Sequence, residues 1–313
     1  MKTGLFSHAT CLGHAPPMGH PESPDRLRAV LAALDGAEFG DLVRYEAPQA
    51  TRTALLAVHD AAHVDAVLGH LNDEAHRNGF AQIDADTFMS AGSSEAALRA
   101  AGAVIRAVDR VAEGEIRNAF CAVRPPGHHA PADRAMGFCL FNNVAVGAFH
   151  AHKIRLFERI AVIDFDVHHG NGTEDIFWND ANLFYASTHQ SPLYPGTGAP
   201  NERGVAQNIL NVPLTPYAGS DAFRAAMTNA ILPAVESFRP DFLFISAGFD
   251  AHKDDPLAQL ELTEADFGWA TAQICKLADR ICGGRLVSTL EGGYNLDALG
   301  RCAAAHVRAL ANS

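Results

Sequence analysis

One stretch in the middle of the chain joins an apolar strand pattern to a dense set of metal-binding side chains. It begins with the apolar run 160–163, which is typical of a buried strand in a parallel sheet. Successive side chains of an extended chain alternate between faces, so Asp164, Asp166 and His168 would point the same way. Two carboxylates and an imidazole that converge where a strand ends are typical of a metal site. A polar turn with solvated acids is the alternative, but it fits poorly after a buried strand, because unpaired acids are almost never buried.

Three further groups of polar side chains each follow a separate apolar run of strand length. In a parallel α/β sheet, ligands bind at the carboxyl ends of the strands, so residues in these places should converge on one site. The groups are His128 with His129 after residues 118–123, Asp250 after residues 241–247 and Tyr294 after residues 285–290.

Asp166, His168 and Asp250 would together provide three ligands to one metal ion. Structural zinc sites normally use four protein ligands, whereas catalytic sites keep one position for water. A set of two aspartates and one histidine, with no cysteine, therefore indicates a catalytic, hydrolytic ion that acidifies water and polarises a carbonyl group. Zn²⁺ and Fe²⁺ both suit these ligands.

The paired histidines His128 and His129 follow Pro-Pro-Gly, a stiff turn that can present two adjacent imidazoles. Either ring could ligate the metal, and the residues alone leave that open. A role as general base and acid is better motivated, because histidine titrates near neutral pH. Asp164, on the same strand face as the ligands, could bond to one of the ligands or rings and set its tautomer.

Three aromatic residues could complete the site. Tyr294 follows two glycines, which allow a close approach of the backbone, and its phenol could donate to a developing oxyanion. Phe138 and Tyr194 lie in predicted loops and could line a narrow apolar slot. From the pattern alone, ordinary packing accounts for these rings at least as well, because buried aromatic side chains are common.

Apolar runs of strand length alternate with longer helical patterns along the chain. This alternation predicts an α/β fold with a parallel sheet covered by helices on both faces. Residues 78–90 are predicted to be a polar loop at the rim of the site, and residues 189–219 a long functional connection. The predicted strands are residues 2–6, 118–123, 160–163, 182–187, 241–247 and 285–290, and the predicted helices are 24–34, 53–71, 93–113, 143–152, 264–282 and two that begin near 220 and 296.

The composition indicates a globular protein, because only 19% of its 313 residues are charged and 48% are hydrophobic. A net charge of −12 argues against general binding of nucleic acids or anionic membranes; it would suit cationic substrates or serve solubility alone. The six cysteines show no paired spacing and are expected to be free thiols of a reducing compartment. No stretch suggests a signal peptide or a membrane span, so we expect a soluble, cytoplasmic protein. The oligomeric state stays open.

Taken together, the motifs resemble those of the histone deacetylase and acetylpolyamine amidohydrolase superfamily. The similarity extends over nearly the whole chain, and the motifs occur in the same order. The class II branch is the most similar, because Asn171 occupies the position where class I members have aspartate. The motifs are HPESPDR (20–26), RPPGHH (124–129), GFCLFNN (137–143), DFDVHHGNGT (164–173), YPGTG (194–198), SAGFD (246–250) and EGGY (291–294).

The resemblance implies an arginase-like α/β fold with an eight-stranded parallel sheet, in one catalytic domain over residues 1–313. It also implies zinc-dependent hydrolysis of amide bonds, with one Zn²⁺ per chain. By position, the implied roles are metal binding for Asp166, His168 and Asp250, acid–base catalysis for His129 oriented by Asn171, pairing of His128 with Asp164, carbonyl binding for Tyr294, and an acyl-lysine tunnel lined by Gly137, Phe138 and Tyr194. A structural potassium ion, where it is kept, would use Asp164, Asp166, His168, Ser187 and Thr188.

The main functional hypothesis is a deacetylase that removes acetyl or other small acyl groups from N-acylated primary amines, above all acyl-lysine. Acetylpolyamines and other small amides are the alternative substrates. In polyamine-specific relatives, the resemblance implies an acid seven residues after the last metal-binding aspartate, or a long early loop that narrows the entrance. This chain has Leu257 at that position and a short loop over residues 8–22, which favours acyl-lysine.

Two other functions compete with deacetylation. A dinuclear manganese ureohydrolase would need an Asp-Ala-His-x-Asp pattern, whereas the central motif here is Asp-Val-His-His-Gly. An inactive acyl-lysine-binding subunit would be favoured by the loss of Tyr294, a histidine or a ligand. All of these residues are present, which favours an enzyme.

Overall fold

The apolar runs of the sequence form a parallel sheet at the centre of the protein, whose computed structural model describes residues 2–313. A short antiparallel hairpin stands apart from this sheet. The strands are β1 Thr3–Ser7, β2 Val43–Glu46, β3 Phe80–Gln82, β4 Phe88–Ser90, β5 Asn118–Cys121, β6 Ile160–Asp164, β7 Leu183–Gln190, β8 Ile209–Leu214, β9 Phe242–Ala247 and β10 Leu286–Leu290.

The eight strands of the main sheet are ordered β2-β1-β5-β10-β9-β6-β7-β8, and every neighbouring pair is parallel. β5, β6, β7, β9 and β10 are buried along their whole length. Their near-continuous apolar sequences follow from that burial, because a parallel sheet is covered on both faces. The predicted α/β fold with an eight-stranded parallel sheet is confirmed.

Helices cover the two faces of the sheet. On one face, Gly147 packs tightly against Val104 and Phe244; on the other, His306 contacts Phe120 and Ser288. π-Helical turns follow α6 at His150–Ile154 and join α8 to α9 at Met227–Ile231. The helices are α1 Pro24–Ala33, α2 Arg52–Leu56, α3 Ala61–Leu68, α4 His70–Asn78, α5 Ser93–Ala112, α6 Asn143–Phe149, α7 Asn171–Phe177, α8 Ser220–Ala226, α9 Leu232–Phe238, α10 Glu264–Cys282 and α11 Leu296–Ala311.

Local signals explain where two of the helices begin. α1 starts at Pro24, directly after Ser23, because the fixed φ and missing N–H of proline cost nothing at the first helical position. α10 starts after Thr263, which forms a capping box with Asp266. Both starts agree with the prediction. Over residues 2–313, no helix combines the length and apolar character that a bilayer span requires.

The sequence analysis was wrong about the short strands. β8 lies within residues 189–219, which were expected to be a connection throughout, and the β3–β4 hairpin lies within the predicted loop 78–90. β2 and β8 are the edge strands of the sheet. β2 alternates half-buried and exposed residues, and β8 contains Pro213, which an edge strand tolerates. These strands therefore lack the continuous apolar run by which the central strands can be recognised.

Candidate active site

Four adjacent strands deliver the predicted site residues to one edge of the sheet. β5, β10, β9 and β6 are neighbours in that order. Because parallel strands end at the same edge, the polar residues that follow them lie close together. These residues are His128 and His129 after β5, Tyr294 after β10, Asp250 after β9, and Asp166 with His168 after β6.

The three predicted metal ligands lie together and are buried. One donor atom from each of Asp166, His168 and Asp250 lies within 4.8 Å of the others. His168 Nδ1 is 3.3 Å from Asp166 Oδ1 and 3.0 Å from Asp250 Oδ2. Among residues 2–313, neither carboxylate forms an ion pair with a lysine or arginine. Two buried carboxylates and one imidazole at this spacing form a donor set for a divalent cation.

Backbone N–H groups hold the two ligand carboxylates in place. Gly292 donates to Asp166 Oδ2 at 2.7 Å, and Val167 donates to Asp250 Oδ1 at 2.9 Å. A side chain at position 292 would collide with oxygens of both aspartates, so only glycine allows this approach. The Glu-Gly-Gly-Tyr turn is therefore docked directly on the ligands, and this docking brings its last residue, Tyr294, close to them.

The charges at this cluster indicate that it needs a cation. Burial, together with the neighbouring charge of Asp166, raises the pKa of Asp250 to about 7. Burial disfavours the charged form of His168, but hydrogen bonds to Asp166 and Asp250 outweigh that effect and raise its pKa to about 10. The two carboxylates thus favour a positive charge beside them, either a proton on His168 or a metal ion that replaces this proton. Metal binding should therefore release protons.

His128 pairs with Asp164, and its other ring nitrogen, Nε2, lies 3.8 Å from Asp166 Oδ1. Its Nδ1 lies 3.0 Å from Asp164 Oδ2, and the hydroxyl of Tyr185 donates to the same oxygen at 3.1 Å. Burial opposes a charge on His128, but Asp166 and Asp164 outweigh it and raise its pKa to about 10. The neighbouring carboxylates thus favour the protonated form of His128.

His129 is held differently from its neighbour. Its Nδ1 lies 2.8 Å from Asn171 Oδ1, and because an amide oxygen only accepts, Nδ1 carries the hydrogen. Burial, together with nearby His128 and His168, lowers the pKa of His129 well below its usual value. The backbone of Gly137, at a φ of 57°, packs against this ring, and a side chain there would collide with it. The bond to Asn171 and the burial thus favour a neutral imidazole whose Nε2 carries no hydrogen.

The ring of Tyr294 is fixed from two sides. It packs edge-on against Phe138, with 5.8 Å between ring centroids, and the Arg26 guanidinium lies 4.8 Å from its ring centre. Burial raises the pKa of Tyr294 well above its ordinary value. The phenol therefore keeps the proton that it would donate in a hydrogen bond.

The early HPESPDR motif supports the site from behind. Glu22 is fully buried and forms ion pairs with Arg26 at 2.9 Å and with Arg124 at 2.5 Å. Arg26 in turn donates to the backbone carbonyls of Glu291 and Gly293, at 2.5 and 2.6 Å. This buried cluster therefore links the first loop of the chain to the turn that carries the tyrosine.

A cavity of about 220 Å³ opens over the buried groups. Phe138 has a φ of 68°, and its N–H donates to Thr87 Oγ1, which fixes the ring in the cavity wall. Tyr194 packs edge-on against His129, with 5.2 Å between ring centroids. The predicted lining residues therefore do share one cavity. Its lining comprises Asp86, His129, Gly137, Phe138, His168, Leu193, Tyr194, Leu257 and Tyr294.

The residues implied for a potassium ion lie on adjacent strands. Asp164 ends β6, and Ser187 is its partner in the register of β7. Ser187 Oγ bonds to His189 Nδ1 at 2.9 Å, and Thr188 is buried beside it. Ion binding at this cluster stays a prediction.

Three acidic residues near the site escaped the sequence analysis. Asp86, on the β3–β4 hairpin, lines the cavity mouth. Glu291 accepts hydrogen bonds from the backbone of Gly127 and His128, at 2.7 and 3.1 Å. Asp255, which is buried, accepts a hydrogen bond from the backbone N–H of Tyr294. Each of these acids lies within or beside a motif or loop that the sequence analysis had assigned to the site. An acidic residue in such a place was the signal that could have identified them.

Comparison with known proteins agrees with this geometry. The family model of the histone deacetylase domain matches residues 20–310. The histone deacetylase-like amidohydrolase of Pseudomonas aeruginosa is 39% identical over 317 residues, which cover 94% of this chain and 82% of that protein. Type-2 histone deacetylase 2 of Dictyostelium discoideum is 38% identical over 352 residues, but the match spans 99% of this chain and 21% of that longer protein.

A solved structure matches the fold over the full length. The crystal structure of the HDA15 HD domain has a TM-score of 0.92 and 36% identity, and the match covers 100% of this chain and 88% of that one. The fold and the site define a hydrolase that acts on amide bonds. The chain belongs to the histone deacetylase family, as its motifs predicted.

Proposed function

We propose that this protein is a mononuclear, zinc-dependent deacetylase that removes acetyl or other small acyl groups from N-acylated primary amines, above all acyl-lysine. The observation that carries the proposal is a shared cavity. His168 of the buried Asp166–His168–Asp250 cluster lines this cavity together with His129 and Tyr294. A donor set, a base and a hydrogen-bond donor within one narrow cavity are the parts that amide hydrolysis needs.

The three donors fit a zinc or iron ion, because they combine two carboxylates with one imidazole and no thiolate. When bound, such an ion would acidify a water molecule and polarise the acyl carbonyl group. The described residues 2–313 bring together one such cluster. This supports a site for one metal ion over the two-metal site of a ureohydrolase.

His129 moves the protons in this proposal. Its Nδ1–H is tied to Asn171, so Nε2 accepts a proton from the attacking water. The same nitrogen then returns the proton to the amine nitrogen as the C–N bond breaks. Tyr294 donates its hydroxyl hydrogen to the carbonyl oxygen, which gains negative charge in the tetrahedral transition state. The products are a carboxylate, such as acetate, and a free primary amine.

The cavity supports a substrate with an extended alkyl stem. Phe138 and Tyr194 provide aromatic walls, and Leu257 lies at the rim in place of an acid. A lysine side chain places four methylene groups before its nitrogen, and such a stem gains free energy from burial between apolar walls. These features favour acyl-lysine.

One observation favours the alternative, an acetylpolyamine. Asp86 adds a carboxylate to the cavity lining, and a site built for a polyamine should place a carboxylate near its mouth. Burial and its neighbour Asp84 raise the pKa of Asp86. A polyamine carries extra ammonium groups that could pair with this carboxylate.

A structural potassium ion at Asp164, Asp166, His168, Ser187 and Thr188 is also part of the proposal. The support is the adjacency of Asp164 and Ser187 in the sheet register. An ion there would stabilise the carboxyl end of β6, which carries two of the zinc ligands.

Elemental analysis combined with substrate assays tests the proposal. We expect one zinc or iron ion per active chain and loss of activity on chelation, with recovery when Zn²⁺ is added. Hydrolysis should be faster for an acetyl-lysine peptide than for acetylputrescine or acetylspermidine. Two transition metals per active chain, or full activity after chelation, would contradict the mononuclear mechanism. A large advantage for the polyamines would establish the alternative substrate.

A further inference from the structure

Asp255 is a buried acid that the mechanism above does not use. Its side chain is 7% exposed, and no arginine, lysine or histidine of residues 2–313 forms an ion pair with it. A buried carboxylate without a cation is costly unless hydrogen bonds satisfy its oxygens. Its partners therefore show what this group stabilises.

The two oxygens of this carboxylate bind two different parts of the site. Oδ1 accepts a hydrogen bond from the N–H of Leu257 at 3.0 Å. Oδ2 accepts from the N–H of Tyr294 at 2.7 Å and from that of Asn295 at 3.3 Å. One residue thus bonds to the backbone of a rim residue and to the backbone of the proposed oxyanion donor.

The rest of the turn that carries Tyr294 is also fixed through its backbone. Arg26 binds the carbonyls of Glu291 and Gly293, and Gly292 donates to Asp166. The N–H groups of Tyr294 and of the residue after it both bond to Asp255. Among the groups that hold this turn, the Asp255 carboxylate is the one that bonds to the backbone of Tyr294 itself.

We infer that Asp255 is a positioning residue, which holds the Tyr294 hydroxyl at the place where the carbonyl oxygen gains charge and couples it to the rim at Leu257. This inference rests on the proposed function of Tyr294. It also gives a reason for the short distance along the chain from Asp250 to Leu257. One loop carries a metal ligand, the support of the tyrosine and a rim residue.

Asp255→Asn is the test variant, because it keeps the shape and removes one acceptor. An amide has a single acceptor oxygen, so it cannot accept hydrogen bonds on both sides. We expect kcat to fall roughly 10- to 100-fold, since small displacements of a reacting group cost rate on that scale. Asp254→Asn is the matched control. The Asp254 carboxylate is half exposed and approaches Arg301 only to 3.7 Å, so this substitution should leave kcat unchanged.

A double-mutant cycle separates positioning from a general structural role. If Asp255 acts through the phenol, Asp255→Asn should lower kcat less than about twofold when Tyr294 is already phenylalanine, because coupled residues are not additive. An equal loss in both backgrounds would overturn the inference. Thermal unfolding and metal content serve as checks. If Asp255→Asn does not fold, Asp255→Ser, which also leaves one acceptor, replaces it in the cycle.

Hydrogen exchange provides a readout that needs no turnover. In the unaltered protein, the Tyr294 and Asn295 amides should exchange slowly, and in Asp255→Asn at least about tenfold faster, with no change in Asp254→Asn. Rapid exchange in the unaltered protein would overturn the inference by itself, as would unchanged exchange in the variant. A protein that hydrolyses no N-acyl amine would instead refute the proposed function, and exchange would still report whether Asp255 holds this turn.

Discussion

The bottom of the cavity and its mouth are built in different ways. At the bottom, Asp166 and Asp250 are fully buried and follow the central strands directly. At the mouth, Asp86 lies on a hairpin loop, and Tyr194 is 39% exposed on the connection after β7. The bottom residues accept hydrogen bonds from the backbone of neighbouring strand ends. The mouth depends on loops, which tolerate change more readily.

This difference separates the groups expected to carry out the reaction from those expected to select the substrate. Groups fixed by the sheet should determine the rate of the chemical step, because they meet the reacting atoms. Groups on the loops should determine which amine carrier enters. Substitutions at the bottom are therefore expected to lower kcat for every substrate, and substitutions at the mouth to change relative kcat/KM values.

The largest effect is expected for His129→Ala. The variant loses the proton acceptor and donor, so kcat should fall by roughly 10³-fold, within the usual 10²–10⁴ contribution of acid–base catalysis. Asn171→Ala, which only removes the partner of Nδ1, should cost less. Steady-state kinetics with metal analysis checks both. If His129→Ala abolished metal binding instead, the ring would be a ligand rather than a base.

Tyr294→Phe should lower kcat by roughly 10²–10³-fold, because one hydrogen bond to the oxyanion is lost. Substrate binding and metal content should change little, since the ring still packs on Phe138 and Arg26. Comparison of kcat and KM between the variant and the unaltered protein is the measurement. Near-normal kcat would remove the phenol from the mechanism and leave Tyr294 as a wall residue.

Asp86→Asn should change selection and leave the chemical step intact. Loss of one partly exposed charge is worth on the order of 1 kcal/mol, so kcat/KM for acetylspermidine should fall about fivefold. The value for a neutral acetyl-lysine peptide should change less than about twofold. Leu257→Glu, which adds a carboxylate to the same mouth, should shift preference in the opposite direction. Equal losses for both substrates in Asp86→Asn would show that the mouth does not select by charge.

A third region, packed on one face of the sheet, should affect stability and not rate. His306 is fully buried and bonded to Thr271 and Ser288 at 2.6 and 2.8 Å, and burial lowers its pKa to about 3. The unfolded chain binds a proton near pH 6.5, so the stability due to neutral His306 is present above that pH and is lost as pH falls toward 3. The unaltered protein should therefore lose more unfolding free energy on acidification than His306→Gln does.

Urea unfolding at pH 7.5 and pH 5 measures this difference. Between pH 7.5 and pH 5, the stability advantage of the unaltered protein over His306→Gln should shrink by about 2 kcal/mol. The kcat of His306→Gln at pH 7.5 should match that of the unaltered protein. An advantage that is independent of pH would mean that His306 is not held neutral in the folded state.

Strand patterns predicted the bottom of the cavity, whereas the mouth was predicted only in part, at Tyr194 and Leu257, from the resemblance. Asp166 and His168 follow an apolar run, and alternation along a strand is a local rule, so their convergence could be read from neighbouring residues. Parallel topology then placed Asp250 and Tyr294 at the same edge. Asp86 obeys no such rule, because its place depends on how a hairpin folds back over the sheet. Asp255 was missed because its partners are backbone N–H groups, which leave no pattern in sequence.

The strand order has a consequence for how the protein is made. β10 lies between β5 and β9, and the residues after all three strands contribute to the site. The sheet therefore needs a gap between β5 and β9 that β10, the last strand to be synthesised, can fill. Contacts between segments so distant in sequence are slow to form. Until Leu286–Leu290 inserts, the two halves of the sheet expose unpaired edges, and a nascent chain at that stage is a ready target for chaperones or for aggregation.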